Sequence, residues 1–248
     1  MQLHLSTWQE VDAYLKTSKA ILIPIGSTEQ HGPNGLLGTD ALCPEIISKR
    51  AGDEAGILVA PTFNVGQAQH HMAFPGTITL KPSTMLAAMV DWSQSLARHG
   101  FTHLYWLNGH GGNIHTINAA FSEIYHSMSF DREGANQPKL RCNLRNWWEL
   151  PGVQDTIKQL FPEGEGHHAT PSEVSVTYFG YPEAQKRVAM SPKIAPLGPI
   201  LDAEDYRARF PDGRIGSDPS QANVEAGGKL VAAAVKAAIA EFREFAAS

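Results

Sequence analysis

The chain has 248 residues and a mass of 27.0 kDa, and its 42% apolar and 18% charged residues are typical of a globular protein. Its net charge of −5 and the lack of a basic run exclude a nucleic-acid-binding surface. No apolar run reaches the roughly 20 residues that span a bilayer, and we expect no signal peptide at the start. For the same reason we expect no membrane partner. Cys43 and Cys142 have neither metal-binding nor disulfide spacing, so we expect a cytoplasmic protein.

Strands and helices are predicted to alternate along the chain. Continuous runs of branched apolar residues predict buried strands, and apolar residues at helical spacing predict helices. Thr7-Trp-Gln-Glu10 predicts a capping box, in a helix whose apolar side would hold Trp8, Val11 and Leu15. After this first helix, the predicted elements are a strand at 20–25, a helix at 41–55, a strand at 57–61, a helix from 82 to 99, a strand at 102–107, a helix after 113, a strand at 141–148, a helix entered near 173 and a closing helix at 222–245.

This alternation predicts βαβ units and an α/β fold with a parallel sheet. Ligands of such sheets bind outside the carboxyl ends of the strands. The glycine-rich turns that follow Ile25 and Leu107 should therefore lie at the same edge. Residues 180–216 are expected to be irregular surface. Because no repeat or linker divides the sequence, residues 1–248 are predicted to form a single domain.

The first glycine-rich turn carries three side chains that can bind a metal ion: Glu29, His31 and Asp40. In extended chain, Glu-x-His places an oxygen and a nitrogen on one side. Such a set suits a divalent cation such as Zn²⁺ or Mn²⁺. The competing interpretation is that Glu29 caps a helix and that His31 lies on the surface.

The second glycine-rich turn, Asn108-Gly-His110-Gly-Gly-Asn113, surrounds one histidine with glycines. Glycine permits close backbone approach, so His110 could point inward at the end of a strand. This position favours a functional histidine over a structural one. A phosphate-binding loop is the competing interpretation, but the G-x-G-x-x-G spacing and a Walker lysine are both missing.

A third polar loop leads into a helix at Thr170-Pro-Ser-Glu173, which predicts a capping box. Glu173 could therefore bond to the backbone or bind a ligand. His167 and His168 precede it, and paired histidines suit proton transfer near pH 7. Six further histidines are expected to be structural, although the loop of the first two could reach the crevice: His70, His71, His99, His103, His115 and His126.

Several motifs together resemble the creatininase (creatinine amidohydrolase) family, in order from about residue 5 to residue 246. The resemblance implies a three-layer α/β/α sandwich with a mostly parallel sheet, two divalent metal ions per chain and hydrolysis of a C–N amide bond. It also implies a homo-oligomer, a hexamer. The motifs are Gly-Ser-Thr-Glu-Gln-His-Gly-Pro at 26–33, Thr-Asp at 39–40, Phe-Pro-Gly-Thr at 74–77, Asn-Gly-His-Gly-Gly-Asn at 108–113, His-Ala-Thr-Pro-Ser-Glu at 168–173 and Gly-Ser-Asp-Pro at 216–219.

The resemblance also assigns roles to individual residues. One metal ion would be bound by Glu29, Asp40 and His110. The other would be bound by His31, Asp40 and Glu173, so that Asp40 bridges the two ions. Zinc is expected first, and manganese or iron would also suit these ligands. The metals would activate a water that attacks the amide carbonyl. The acid for the leaving nitrogen would be His168, helped by His167.

The chain departs from creatininase at three positions. Gly112 replaces a metal-binding glutamate, and we infer that Glu173 supplies the missing carboxylate. His167 replaces another glutamate, and Thr170 replaces the glycine of a family signature. These departures put creatinine in doubt as the substrate. Two adjacent tryptophans, at 147 and 148, could close over the pocket or pack in the core or against another subunit.

Three functions are compatible with this sequence. The first is a dinuclear metal-dependent amidohydrolase that acts on a small cyclic or linear amide. The second is a peptidase or deformylase that acts on a modified peptide or formamide in a biosynthetic pathway. The third is a non-catalytic metal-bearing binding protein. The third would predict a degraded ligand set, whereas all five expected ligands are present.

Overall fold

A computed structural model describes residues 1–130 and 139–248 and contains a parallel sheet between layers of helices. Its strands lie in the order β1 (Ala20–Ile25), β2 (His103–Asn108) and β3 (Arg141–Asn146). The helices are α1 (Trp8–Leu15), α2 (Thr39–Ala55), α3 (Pro82–Arg98), α4 (Ile114–Phe130), α5 (Val153–Leu160), α6 (Pro171–Gly180), α7 (Ala203–Arg209) and α8 (Val224–Ala246). Short 3-10 turns lie at Leu3–Leu5, Gln69–His71, Gly111–Asn113, Trp147–Glu149, Pro182–Ala184 and Pro219–Gln221.

Helices cover both faces of the sheet, which explains why every residue of β1 is buried. Successive residues of a strand point to opposite faces. Leu22 and Tyr105 accordingly pack in one core with α2, α5 and α8. Ile23 and Trp106 pack in a second core with α3 and α4. The two cores give the three-layer α/β/α arrangement, so the predicted fold class is confirmed.

The predicted strand at residues 57–61 is not a continuous strand. Within it, Val59 forms a single parallel bridge to Leu22 of β1, and Phe63, two residues beyond the segment, forms another to Ile25. The interruption comes from Pro24 in β1, which has no N–H to donate across the ladder. Hydrogen bonding resumes where Phe63 donates to the Pro24 carbonyl at 2.9 Å.

Two expectations about surface and core are wrong. Trp8 does not belong to the apolar side of α1, because it is the first residue of a short helix and 75% exposed; Leu15 is buried. The region at 180–216, predicted to be irregular, contains α7, and Tyr206 of this helix is completely buried. A local signal for this helix exists, since the Asp202 side chain accepts a hydrogen bond from the N–H three residues later.

Both glycine-rich turns lie at the same edge of the sheet, as predicted. Ile25 and Asn108, the last residues of β1 and β2, are partners in the parallel register. Helix α2 begins two residues earlier than predicted, so that Asp40 falls in its first turn at this edge. In the part of the chain that the structure describes, no helix combines the length and apolarity needed to cross a membrane.

Candidate metal centre

The backbone of Asp40 rests against the ends of two neighbouring strands. Gly26 and Gly109 follow β1 and β2, and a Cβ atom on them would lie 2.1 Å and 1.9 Å from the Asp40 carbonyl oxygen. Real Cβ atoms do not approach an oxygen so closely, so only glycine fits at either position. The sequence around the two turns therefore fixes where the Asp40 side chain starts.

The Asp40 carboxylate lies between two imidazole rings. Its Oδ1 is 3.0 Å from Nε2 of His31, and its Oδ2 is 2.9 Å from Nδ1 of His110. The other nitrogen of His31 lies 3.1 Å from the Glu29 carbonyl, to which it donates. The other nitrogen of His110 donates to the Gln67 carbonyl at 2.8 Å. These backbone bonds orient both rings and leave the nitrogens that face Asp40 available to a proton or a cation.

Two further carboxylates complete the cluster. Glu29 is fully buried, and neither of its oxygens has an aligned hydrogen bond within the described residues. Its Oε2 lies 3.3 Å from Nε2 of His110. Glu173 caps the helix and also faces the cluster. Its Oε1 accepts the Thr170 N–H at 2.6 Å, as in a capping box, and its Oε2 lies 3.8 Å from Nε2 of His31.

The potential ligand atoms form groups of three in which all atoms lie within 4.8 Å of one another. Within the described residues these groups are Glu29 with Asp40 and His110, His31 with Asp40 and Glu173, and Glu29 with His31 and His168. The first two groups are the sets expected from the resemblance, and they share Asp40. The third takes one residue from each of the first two, so it would compete with them rather than add a further site.

The electrostatics of the cluster fit a cation. Burial alone would lower the pKa of His31, but the charges of Asp40 and Glu173 raise it to about 10. Burial opposes a similar rise at His110, where the nearby carboxylates raise the pKa to about 9. Burial raises the pKa of Glu29 as well. Both Glu29 oxygens and Asp40 Oδ2 lack aligned hydrogen-bond partners among the described residues. A bound divalent ion would provide these buried oxygen atoms with a partner.

The two candidate proton-transfer residues occupy different environments. His168 is largely buried, its Nε2 donates to the Gln30 carbonyl at 2.7 Å, and its Nδ1 lies 3.8 Å from Glu29 Oε1. Burial, followed by the charge of His31, lowers the pKa of His168. His167 is exposed on the wall of the cavity, and its backbone N–H donates to the Ile215 carbonyl at 2.9 Å.

Sequence reasoning missed three residues around these ligands. His71, expected to be structural, is buried with its Nε2 2.9 Å from Glu29 Oε1. Gln30 lies between two predicted ligands in sequence, and its side chain contacts His71. Tyr206 from α7 packs its ring against His71, with centroids 4.8 Å apart. A signal existed for His71, which stands three residues before the Phe-Pro-Gly-Thr motif at 74–77.

A cavity of about 470 Å³ opens onto the ligand groups. Trp147 is 2% exposed, so it packs in the core and also lines the cavity, while Trp148 is only partly buried. Glu165 adds a further carboxyl to the wall; burial raises its pKa to about 7, and Ser172 donates a hydrogen bond to its Oε1. The cavity is large enough for a small molecule or a short peptide segment.

A parallel α/β sheet whose carboxyl edge carries two carboxylate–imidazole groups with a shared aspartate defines a candidate metallohydrolase. The chain belongs to the creatininase family, because the family described as creatinine amidohydrolase matches residues 4–242. The predicted resemblance is thereby confirmed, as is the prediction of a family hydrolase that acts on C–N bonds.

Individual relatives agree with this membership. The chain is 28% identical over 191 residues to creatinine amidohydrolase of Pseudomonas putida, an alignment that covers 71% of this chain and 70% of that protein. It is 33% identical over 114 residues to the mycofactocin precursor peptide peptidase of Mycobacterium tuberculosis, which covers 42% of this chain and 45% of the peptidase. The chain thus aligns with less than half of the length of the peptidase.

Solved creatininases share the whole fold. A tryptophan-to-phenylalanine mutant of creatininase, Type II, superposes with a TM-score of 0.87 at 25% identity, covering 100% of this chain and 99% of that one. Similar creatininases include a mutant of the Zn–Zn type, an Mn form and a mutant complexed with creatine. The three-layer fold that the sequence predicts is the fold of these enzymes.

Proposed function

We propose that the chain is a dinuclear metal-dependent amidohydrolase that cleaves the C–N bond of a small cyclic or linear amide. The observation that carries this proposal is the Asp40 carboxylate, which faces one available imidazole nitrogen on each side. One divalent ion would be held by Glu29, Asp40 and His110. The second would be held by His31, Asp40 and Glu173.

When bound, two such ions would lower the pKa of a shared water and polarise the substrate carbonyl. Carboxylate and imidazole ligands suit zinc first, and also manganese or iron. Related creatininases include a Zn–Zn type and an Mn form, which supports the same choice. Three carboxylates offset most of the charge of two divalent ions, and the cavity leaves room for water and substrate.

His168 is the residue proposed to handle the proton. Its Nε2–H is committed to the Gln30 carbonyl, so in the neutral ring Nδ1 carries the lone pair. That nitrogen could take a proton from the attacking water and return it to the leaving nitrogen, which must be protonated before the C–N bond breaks. His167 lies beside it on the exposed wall, where it could exchange this proton with solvent.

The alternative function is that of a peptidase or deformylase acting on a modified peptide or formamide. Two observations support this alternative: the similarity to a peptide peptidase and the cavity of about 470 Å³ beside the ligand groups. Gly112 also stands where creatininase has a glutamate, so the walls differ from those of creatininase. A non-catalytic binding protein is the weaker alternative, since all five proposed ligands lie in the two groups.

The test is metal analysis by plasma mass spectrometry on protein purified without chelator. We expect about two divalent ions per chain, and a large loss in Asp40→Ala. Asp53→Ala, on the exposed side of the same helix, is the matched control and should keep both ions. One ion or none, unchanged in Asp40→Ala, would reject the two-metal proposal. Lactams, formamides and short peptides would then be compared as substrates to separate amidohydrolase from deformylase and peptidase.

We also propose that the protein is a cytoplasmic homo-oligomer, a hexamer by resemblance. Two apolar side chains near the start, Leu5 and Trp8, are 73% and 75% exposed, which is expected of residues covered by another subunit. Cys43 and Cys142 are free thiols, as is usual in a reducing compartment. Light scattering after size-exclusion chromatography measures the assembly; a mass near 27.0 kDa would reject the oligomer.

A further inference from the structure

His71 and Gln30 form a buried pair behind the proposed ligand Glu29. His71 is 1% exposed and ends the 3-10 turn Gln69–His71. Its Nε2 lies 2.9 Å from Glu29 Oε1, which has no aligned hydrogen bond in the described residues. Its Nδ1 lies 2.9 Å from Nε2 of Gln30. The three side chains therefore contact one another in the order Gln30, His71, Glu29.

The surrounding backbone determines the orientation of the Gln30 amide. The Gly32 N–H donates to Oε1 at 2.8 Å, and Nε2 donates to the Gly213 carbonyl at 2.9 Å. A reversed amide would set a donor against a donor and an acceptor against an acceptor. Gln30 therefore presents an N–H group, and not a carbonyl, to its neighbours in the site.

This orientation sets the tautomer of His71. Nε2 of Gln30 has one N–H left after its bond to Gly213. Two histidines lie 2.9 Å from this nitrogen, and the Tyr206 hydroxyl lies 3.1 Å from it. His168 cannot accept that N–H, because its own Nε2 already donates to the Gln30 carbonyl. Whichever group accepts it, Nδ1 of His71 lies 2.9 Å from an amide nitrogen, which has no lone pair to accept a proton, so Nδ1 itself is unprotonated. The His71 proton therefore lies on Nε2, on the side of Glu29.

We propose that Gln30 and His71 are positioning residues that hold Glu29 in the orientation needed to bind a metal ion. The protonated Nε2 of His71 lies 2.9 Å from Oε1, so that Oε2 stays directed to the side of His110. A partner that orients a metal ligand typically changes metal affinity by about 10- to 100-fold. This inference rests on the proposed metal centre. It assigns His71 to the ion held by Glu29, and not to the ion held by His31 and Glu173.

The experiment measures both zinc dissociation constants by competition with a chromophoric chelator. In His71→Leu we expect one of the two zinc equivalents to bind about 10- to 100-fold more weakly, and the other to change by less than about threefold. His71→Gln keeps an N–H at a similar distance and should restore most of the affinity. His70→Leu is the matched control, because this neighbouring histidine lies in the same turn, and its side chain has no hydrogen bond or ion pair to Glu29 in the described residues.

A second measurement does not depend on how well the variants fold. Nitrogen-15 NMR of the histidine rings in the wild-type protein should show His71 as the Nε2–H tautomer. The Nδ1–H tautomer, equal weakening of both zinc equivalents in His71→Leu, or no weakening at all would overturn the proposal. If the wild-type protein binds fewer than two zinc ions, the proposed function fails, but the tautomer of His71 is still decided by NMR.

Discussion

Metal binding should release protons from the rings that face Asp40. Without a cation, the carboxylates raise the pKa of His31 to about 10 and that of His110 to about 9, so both rings carry an extra proton at pH 7. Both rings must lose that proton to bind a metal. Loading the site at pH 7 should therefore release about two protons per chain from the rings, and up to one more from Glu29, because burial raises its pKa to about 8.

The sign and size of the pH effect follow from the same values. Between pH 7 and 8 each released proton raises apparent affinity about tenfold, so the product of the two binding constants should rise about 100-fold from the rings alone and further through Glu29. Near pH 9.5, where His110 is mostly neutral and His31 is partly protonated, the number of protons released per chain should fall to about one. Ionisation of a bound water would add more protons as the pH rises, so a fall in the number of released protons identifies groups that are protonated before the metal binds.

Isothermal titration calorimetry with chelator-buffered zinc, in buffers of different ionisation enthalpy, counts these protons. His115→Ala, a variant of a surface histidine outside the ligand groups, should release the same number as the wild type. Release of less than one proton at pH 7, or a number that does not fall toward pH 9.5, would show that the rings are neutral before metal binds. In that case the carboxylates do not act on the rings as the distances to Asp40 imply.

Two further predictions concern the residues that hold the ligands. In Gly112→Ala the new Cβ would lie 2.4 Å from Nε2 of His110 and 2.9 Å from the Gln67 carbonyl, so it should break their hydrogen bond and weaken zinc binding about tenfold or more. Gly111→Ala, where a Cβ meets nothing within 4 Å, is the control, and equal affinities in the two variants would contradict this account. Thr170→Ala should cost about 1 kcal/mol of unfolding free energy through the lost cap and also weaken zinc binding, because Glu173 loses one anchor. Thr7→Ala removes a similar capping box from α1 and should lower the unfolding free energy alone; a loss of zinc affinity there would refute the link.

The parts of the fold that were predictable are those with a local physical cause. The capping boxes at Thr7 and Thr170 were readable because both partners lie within four residues. Strand β1 was readable because both of its faces are buried, which leaves a continuous apolar run. The segment at 57–61 was harder, since its ladder is interrupted by Pro24, a residue of the neighbouring strand. An effect that one strand exerts on another is not visible in the sequence of either strand alone.

The site shows the same limit. Glu29, His31 and Asp40 lie in one loop, so their clustering could be inferred from spacing. His71 reaches Glu29 from a separate loop, and Tyr206 reaches His71 from a helix 135 residues further along the chain. Such contacts arise from tertiary folding. For His71 the sequence gave only the expectation that its loop could reach the crevice, and for Tyr206 it gave none. Family resemblance, rather than periodicity, brought Glu173 and His110 into the same set.

Because the Asp40 backbone packs against two strand ends, the proposed metal centre and the walls of the cavity depend on different parts of the molecule. The proposed metal centre takes its position from the sheet, because Gly26 and Gly109 seat the Asp40 carbonyl directly on it. The walls that would meet a substrate come from other segments, among them the turn with Trp147 and Trp148. A family built in this way can exchange one substrate for another by changing its walls while its reactive centre stays in place. Relatives named for creatinine and for a precursor peptide illustrate the range that this architecture permits.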